Sequence, residues 1–314
     1  MQGIFDFGDN EAIRWDEHVS SAFDPEADPT KPWRWADANP ALGEWLEAVL
    51  KFLEHHQGID LRSAPVRWVD GRDPTRKALN QREACFQAGR NKGETVAAIH
   101  GWSNHCHQIA SGLGGLYSCV EAIDTKDLYE AARSMGATSG YGRAVVVLDF
   151  EGKCITQVKT TLKTIRNAFD ARRPPKGRKN AEVSQALLAV AKYNSPAAIQ
   201  FALQAVIRVE HAVVYRRELL RKMQKSIRAV MAGEAPSLEE AVWVVRNRSR
   251  WLVRILPCCA VGTTLLVKGL EFHHAIVLDP DAYGAKNLDV ALMRGSKSLT
   301  VVSRVPMLQS RAAG

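Results

Sequence analysis

The densest group of potential metal ligands in the sequence is the segment IHGWSNHCHQ, which contains His100, His105, Cys106 and His107. Imidazole nitrogens and thiolates are the ligands that Zn²⁺ prefers in structural sites. The spacing here fits no standard zinc pattern, and adjacent side chains do not easily converge on one ion. The sequence therefore predicts no metal site, and the pairs His55-His56 and His273-His274 are interpreted as helix-surface or strand-edge residues.

A phosphate-binding loop is the second kind of chemistry that short motifs can carry. Gly112, Gly114 and Gly115 form a glycine-rich stretch, but no Gly-Lys-Ser/Thr follows them. The complete G-x-x-x-x-G-K-[ST] occurs nowhere in the 314 residues, and no apolar strand ends in an Asp-Glu pair. The sequence thus lacks both a cradle for the β- and γ-phosphates and a carboxylate pair for Mg²⁺.

Positive charge is concentrated in one part of the chain. The net charge is +8, but residues 151–254 carry 21 Lys and Arg against 8 Asp and Glu, whereas residues 1–60 carry 4 against 13. In residues 215–231 one helical face is apolar, and the rest is occupied by Arg216, Arg217, Arg221, Lys222, Lys225 and Arg228. This surface attracts a polyanion, most simply a nucleic-acid backbone. A solvated basic face and an anionic membrane surface are the alternatives.

The elements that position these residues alternate between Pro65 and Phe150. APVRWV, ETVAAIH and VVVLDF have strand-like patterns, and VVVLDF is typical of a buried central strand. TRKALNQREACFQAG, a segment ending at Gly112, and LYEAARSMG have helix-like patterns. Strands that alternate with helices predict an α/β layer with a mainly parallel sheet.

The middle of the chain gives only helical signals, from about Ile155 to Arg250, with cap-like starts at Ser195-Pro196 and Ser237. Strand-like patterns return after Pro257 in AVGTTLLV, AIVLD and SLTVVS, with a helix-like AKNLDVALMRG before the last. We therefore expect an α/β domain, residues 1–154 and 255–314, interrupted by a basic helical insertion, residues 155–254.

The composition, with 46% hydrophobic and 24% charged residues, excludes wholesale disorder and a disulfide scaffold. No apolar run approaches the roughly 18 residues of a spanning helix, and the first residues are acidic rather than signal-like. The six cysteines are scattered, which suits reduced thiols. We expect a cytoplasmic protein with no membrane partner.

Two segments near the end of the chain carry a family resemblance. TTLLVKGLEFHHAIVLD (263–279) and KNLDVALMRGSKSLTVVS (286–303) resemble, in order and spacing, the fifth and sixth signature motifs of UvrD/Rep-like superfamily 1 DNA helicases. QGIFDF (2–7) is similar to the end of the third motif, and WRW (33–35) stands where the arginine of the fourth belongs. The resemblance implies that the α/β part is the second, RecA-like motor domain of a P-loop NTPase type.

The resemblance also implies catalytic residues. Arg34 and Arg294 would face the γ-phosphate of ATP from across a cleft, where an arginine finger is worth roughly 10³–10⁵ in rate. Gln2 would couple the γ-phosphate site to the DNA track. Without the family, Arg34 is an arginine that packs on its neighbouring tryptophans, and Arg294 is a surface arginine of a helix.

ATP-binding and DNA-binding residues follow in the same way. Glu271 would accept hydrogen bonds from the ribose, and Lys268 and Gly269 would shape its loop, which without the family is a connector. DNA contacts would come from Phe5 and Phe7 by base stacking, and from Thr263 and Thr264 at the phosphates. The alternatives are core packing for the phenylalanines and strand formation for the threonines.

The sequence departs from the family in one large respect. The family's first motor domain, which holds the phosphate loop and Mg²⁺, precedes the third motif, and this sequence begins inside that motif. We therefore expect the first motor domain to be missing or separate, and the chain not to hydrolyse ATP alone. Asp289, Met293 and Leu265 also replace the aromatic, threonine and histidine usual in the family.

Two functions are thus expected from the sequence. The first is the C-terminal motor half of an ATP-dependent UvrD-like DNA helicase or translocase that contacts single-stranded DNA. The second is a non-enzymatic nucleic-acid-binding module or a degenerate helicase relic. DNA against RNA, translocation polarity and pathway stay open.

Overall fold

The computed structural model describes residues 33–91, 93–123, 125–173, 180–251 and 256–309. The chain divides into two compact units. The first unit comprises the described residues up to Trp102 and from Thr263 onward, and the second runs from Ser103 to Gly262. The boundaries expected at 154/155 and 254/255 both fall inside the sequence range of the second unit. Gln2, Phe5 and Phe7 lie outside the described residues.

The elements in chain order are α1 (Trp33–Ala36), α2 (Pro40–Glu54), β1 (Ile59–Asp60), β2 (Arg67–Asp70), α3 (Pro74–Ala88), β3 (Val96–His100), α4 (Ser103–Gly112), β4 (Ser118–Cys119), α5 (Lys126–Ala137), α6 (Gly140–Cys154), β5 (Ile155–Thr156), α7 (Lys159–Asp170), α8 (Ala181–Tyr193), α9 (Pro196–Ile207), β6 (Val213–Val214), α10 (Arg217–Met231), α11 (Leu238–Trp251), β7 (Cys259–Gly262), α12 (Thr264–Val267), β8 (Phe272–Leu278), α13 (Ala285–Leu292), β9 (Gly295–Ser303) and β10 (Met307–Leu308). A 3-10 turn, Pro280–Ala282, follows β8.

The first unit is an α/β fold around parallel strands, as the sequence predicts. Four strands pair in the order β2-β9-β8-β3, all in parallel, and β1 pairs with β10 in an antiparallel ribbon. Six of the seven β8 residues are buried, which explains the continuous apolar run AIVL, since a parallel strand is covered on both faces. The arrangement is compatible with a Rossmann-like or RecA-like fold.

Several helix starts follow from local chemistry. The Asn39 side chain accepts a hydrogen bond from the Leu42 amide at 3.1 Å, and Pro40 opens α2. Asp73 and Ser195 cap α3 and α9 in the same way, each followed by a proline. Such caps satisfy amide donors that have no partner in the first turn. The cap predicted at Ser195 is thus confirmed.

Gly295 lets β8 and β9 approach each other. A Cβ at this position would lie 2.4 Å from the Ser298 carbonyl oxygen and 3.0 Å from the Ala275 amide nitrogen. The first distance is shorter than a Cβ atom tolerates and the second is at the limit, so a side chain at this position would force the backbone to shift. The residue directly before it, Arg294, is therefore held against the start of the sheet.

The second unit is mostly helical, with one large apolar core built from α5 to α11. It also contains the parallel pair β4-β7 and the short antiparallel pair β5-β6. The strand predicted at VVVLDF is wrong, because Val145–Phe150 lie in the middle of α6. This helix packs against α5, α7, α8 and α9, and a helix covered on several sides shows the same continuous apolar run as a buried strand.

One carboxyl group lies inside this helical core. Glu151 is 0% exposed, and neither of its oxygens has a hydrogen-bond partner among the described residues. Burial raises the pKa of Glu151 well above its ordinary value, because the charged form is poorly solvated there. The folded protein thus keeps this carboxyl protonated at a pH at which the unfolded chain releases the proton.

We expect Glu151→Gln to stabilise the protein increasingly as pH rises. Wild type loses stability above the unfolded carboxyl pKa of about 4.3, by up to about 1.4 kcal/mol per pH unit until the folded pKa is reached. The variant has no such titration. Urea unfolding at pH 5 and pH 8 measures the difference, and Glu130→Gln, at an exposed position of α5, is the control. A gain that does not grow with pH would contradict the burial of an unpaired carboxyl.

Candidate functional site

Three residues that the sequence analysis singled out meet at the amino ends of β8 and β9. Glu271 directly precedes β8, Arg294 directly precedes β9, and Arg34 lies in α1. Phe272 and Gly295 are opposite each other in the parallel pairing. Because parallel strands start at the same edge of a sheet, Glu271 and Arg294 become neighbours, and α1 adds Arg34 from more than 200 positions away.

Arg34 is held by two groups. Its guanidinium pairs with Glu271, with Nε donating to Oε1 at 2.8 Å, and its Nη1 donates to the Met293 carbonyl at 2.9 Å. It also lies 5.1 Å from the centre of the Trp35 ring, so the packing alternative and the ion pair occur together. The Arg34 side chain is 25% exposed and that of Glu271 61% exposed, so this pair is accessible to solvent.

Arg294 has a different environment. It is only 1% exposed, and its Nε and Nη1 donate to the carbonyls of Val290 at 2.8 Å and Leu270 at 3.0 Å. Burial lowers the pKa of Arg294, and the nearby Arg34 cation adds to this. The guanidinium therefore fastens the KGLEF segment to the end of α13, and it does not lie on the surface.

The remaining sequence-predicted residues lie around the same segment. Gly269 is exposed and has φ +77°, a left-handed conformation that glycine adopts without strain, and Lys268 before it is half-buried. Thr263 and Thr264 are buried, and the Thr264 hydroxyl donates to Asn287 at 2.6 Å. The strand predicted at AVGTTLLV ends at Gly262, so these threonines start the short helix α12 rather than end a strand.

A second charged network lies at the amino edge and was missed in the sequence. Glu94, just before β3, pairs with Lys297 and His274, and the other His274 nitrogen lies 2.7 Å from the Ser298 hydroxyl. His274 is 9% exposed, so it is not the surface residue expected. Hydrogen bonds from Lys297 and His274 lower the pKa of Glu94 to about 2. No sequence pattern links these residues, since only the β3-β8-β9 register brings them together.

The carboxyl edge of the same sheet holds a smaller cluster. Asp279, after β8, pairs with Lys77 at 2.6 Å and lies 3.3 Å from His100 Nε2. The Trp102 amide donates to His100 Nδ1 at 3.0 Å. Nδ1 therefore accepts from the backbone, and Nε2 faces the Asp279 carboxylate.

The basic helix of the second unit has an exposed ridge. Arg217, Arg221, Lys225 and Arg228 follow each other at helical spacing on the exposed side of α10. Lys225 and Arg228 also line a groove of about 340 Å³ together with Arg248 of α11. The surface predicted from the sequence is thus only partly right.

Two of the six predicted surface cations are inside the unit. Arg216 is 3% exposed and pairs with Glu121 and Asp127 at 2.6 Å. Lys222 is 6% exposed and donates to the Ala122 carbonyl at 3.2 Å. Both side chains donate to acceptors inside the unit, and a count of charges along a helix does not reveal this.

The comparisons with known proteins add no relative. No protein-family model matches the chain, and no curated protein matches its sequence. Among the helices in the described ranges, none is long and apolar enough to cross a membrane. The assignment of a function therefore depends on the residues themselves.

We expect Glu94→Gln to lower stability at neutral pH and to lose this effect in acid. A carboxylate whose pKa falls to about 2 on folding contributes stability above its unfolded pKa of about 4.3, and this contribution disappears as pH falls through about 2. Thermal unfolding between pH 7 and about pH 2 measures the difference from wild type, with the exposed Glu44→Gln as control. A difference that stays constant over this range would contradict the ion pairs.

Proposed function

We propose that this chain is the C-terminal motor half of an ATP-dependent, UvrD-like helicase or translocase that acts on single-stranded DNA. The observation that carries the proposal is the convergence of Arg34, Glu271 and Arg294 at one edge of a parallel sheet. The helicase resemblance groups these three positions although they are far apart in sequence. The fold alone does not define an activity, so we infer the activity from the residues at this edge.

Arg34 is the residue that we assign to the γ-phosphate. Its partner Glu271 is largely exposed, and an exposed ion pair contributes only about 0–1 kcal/mol. A phosphate can therefore take over the guanidinium at little cost, through the bidentate geometry that arginine offers to oxyanions. Glu271 would then be released toward the ribose hydroxyls.

Arg294 acts in this proposal through the loop that it holds. Its bonds to the Leu270 and Val290 carbonyls fix the backbone next to Glu271. Direct contact of Arg294 with a phosphate would require it to leave this buried position. Arg34 is thus the exchangeable cation and Arg294 the one that fixes the loop in the described conformation.

ATP would supply the phosphoryl group, and Mg²⁺ would compensate its negative charge. The 314 residues contain no phosphate loop, so we propose that a further domain, in the same protein or a second one, completes the nucleotide site. Gln2, Phe5, Phe7, Thr263 and Thr264 keep their proposed roles toward the γ-phosphate and the DNA. The described positions of the two threonines are buried, so contact with DNA would need the start of α12 to move.

The finer features of the fold belong to the same proposal. We assign the parallel sheet to a RecA-like second motor domain and the helices of residues 155–254 to an insertion in it. We also place the protein in the cytoplasm, since all six cysteines are free thiols, which suits a reducing compartment.

We expect the purified chain to show no Mg²⁺-dependent ATP turnover, and to stimulate turnover when mixed with a UvrD-like phosphate-loop domain and single-stranded DNA. Arg34→Lys should reduce that stimulation by about 10³-fold, since a lysine cannot replace the planar guanidinium. Arg62→Lys, in the exposed pair with Asp60, should leave it unchanged. Turnover by the chain alone that disappears in Arg294→Ala would refute catalytic incompleteness.

The exposed ridge of α10 supports a second candidate, a nucleic-acid-binding module that needs no ATP. Arg221, Lys225 and Arg228 follow each other at about one helical turn on one side, so they can follow a phosphate backbone. The Arg248 side chain extends the groove, although its pair with Glu234 at 2.6 Å offsets part of its charge. Binding of this kind is electrostatic and strongly dependent on salt.

We expect a triple variant, Arg221→Gln, Lys225→Gln and Arg228→Gln, to weaken binding of single-stranded DNA. The slope of log affinity against log salt should fall by about 2, at about 0.7 per lost contact. A control with the same charge change replaces the exposed Lys126, Arg133 and Arg208 by glutamine. Filter-binding titrations measure both, and equal effects of the two variants would show that only net charge matters.

A further inference from the structure

Three potential metal ligands of different chemistry meet in the second unit. His107 lies on α4, Cys119 ends β4, and Glu121 follows two residues later. One ligand atom of each lies within 4.8 Å of the others, and Cys119 and Glu121 are buried. His107 is partly exposed, so an ion can enter from its side.

The distance between these atoms fits two ligands of one metal ion better than it fits a hydrogen bond between them. His107 Nε2 and Glu121 Oε1 are 3.7 Å apart, which is too long for a hydrogen bond. Two ligands at about 2.0–2.2 Å from a tetrahedral ion lie about 3.3–3.6 Å apart. The cluster therefore needs to contract by only a few tenths of an ångström between these two atoms.

We propose that His107, Cys119 and Glu121 bind one Zn²⁺ ion and leave a fourth position open. Thiolate, imidazole and carboxylate are the zinc ligands of proteins, and three protein ligands with an open position are typical of non-structural sites. The three ligands are not grouped in the sequence, since His107 is 12 and 14 positions from the other two. Only His107 of the histidine-rich segment takes part.

The protonation states decide how the ion binds. Burial lowers the pKa of His107, with the Arg216 cation adding to this, so the imidazole is in its neutral, ligating form at pH 7. Burial raises the pKa of Cys119 well above its usual value, and its thiol lies 3.8 Å from the Cys106 carbonyl. Zn²⁺ binding breaks this S–H bond, forms the Zn–S bond and releases one proton to solvent.

Arg216 has two opposite effects on a bound cation. Its positive charge repels the ion, and its hydrogen bonds hold the Glu121 ligand in place. Its guanidinium donates to both Glu121 oxygens, at 2.6 and 2.8 Å, and also to Asp127. A carboxylate has about four lone-pair sites on its two oxygens, so Glu121 keeps acceptor capacity for a metal. The arginine then orients the Glu121 carboxylate by hydrogen bonds from outside the metal site, and the Cys119 thiolate adds the negative charge that the site needs.

The test is metal analysis of the purified full chain after equilibration with Zn²⁺ and with Co²⁺. We expect one ion per chain, with thiolate-to-cobalt charge-transfer absorption for Co²⁺, and at least a tenfold loss of affinity in both Cys119→Ser and His107→Asn. Competition by a chelator at pH 6 and pH 8 should show weaker Zn²⁺ binding at pH 6, because binding of the ion releases one proton from Cys119.

Two matched variants serve as controls. His105→Asn changes an exposed histidine of the same helix, and Cys258→Ser removes the exposed thiol elsewhere in the unit; both should bind as wild type does. Binding that survives in Cys119→Ser, or that disappears in Cys258→Ser, overturns the proposal. If Cys119→Ser does not fold, the wild-type cobalt spectrum decides, since the absence of thiolate charge transfer overturns the site by itself.

Discussion

The register of β8 between β3 and β9 is the constraint on which the first unit depends. β8 is buried along nearly its whole length, and a parallel strand in this position must satisfy its backbone on both sides. A slip by one residue would turn every side chain to the other face. Gly295 leaves room for the close approach of the β8 backbone at Ala275. The charged residues at both ends of the sheet are placed by this register rather than by their local sequence.

The charged side chains at the two edges of this sheet differ in their pairing and in their exposure to solvent. At the carboxyl edge, where α/β folds usually bind ligands, Lys77 and His100 are both directed at Asp279. At the amino edge, the Arg34–Glu271 pair is open to solvent and the Arg294 guanidinium is closed off. An ion pair in water is easily exchanged for another anion, whereas a buried guanidinium is not. This contrast supports the amino edge as the place for the nucleotide in the function that we propose.

The sequence predicts elements that are marked by local signals, but it does not distinguish a buried strand from a buried helix. The strands at ETVAAIH and SLTVVS, the helix at TRKALNQREACFQAG and the Ser195 cap are confirmed, because caps and short apolar runs bounded by turns are encoded locally. The apolar run VVVLDF is typical of a buried strand and also of a buried helix. It forms a helix because other helices, most of them later in the chain, pack around it. The amino-edge residues Glu94 and His274 could not be paired from sequence, since nothing local marks strand register.

The same limit applies to charge, and it changes how the basic segment is understood. Arg216 and Arg217 are neighbours in sequence, yet one is buried against two carboxylates and the other is exposed. Removing a buried guanidinium leaves unpaired carboxylates behind, which costs far more than the loss of one surface charge. The excess of positive charge in residues 151–254 therefore has two physically distinct parts. One part stabilises the fold of the second unit from inside, and only the other part is available to a polyanion.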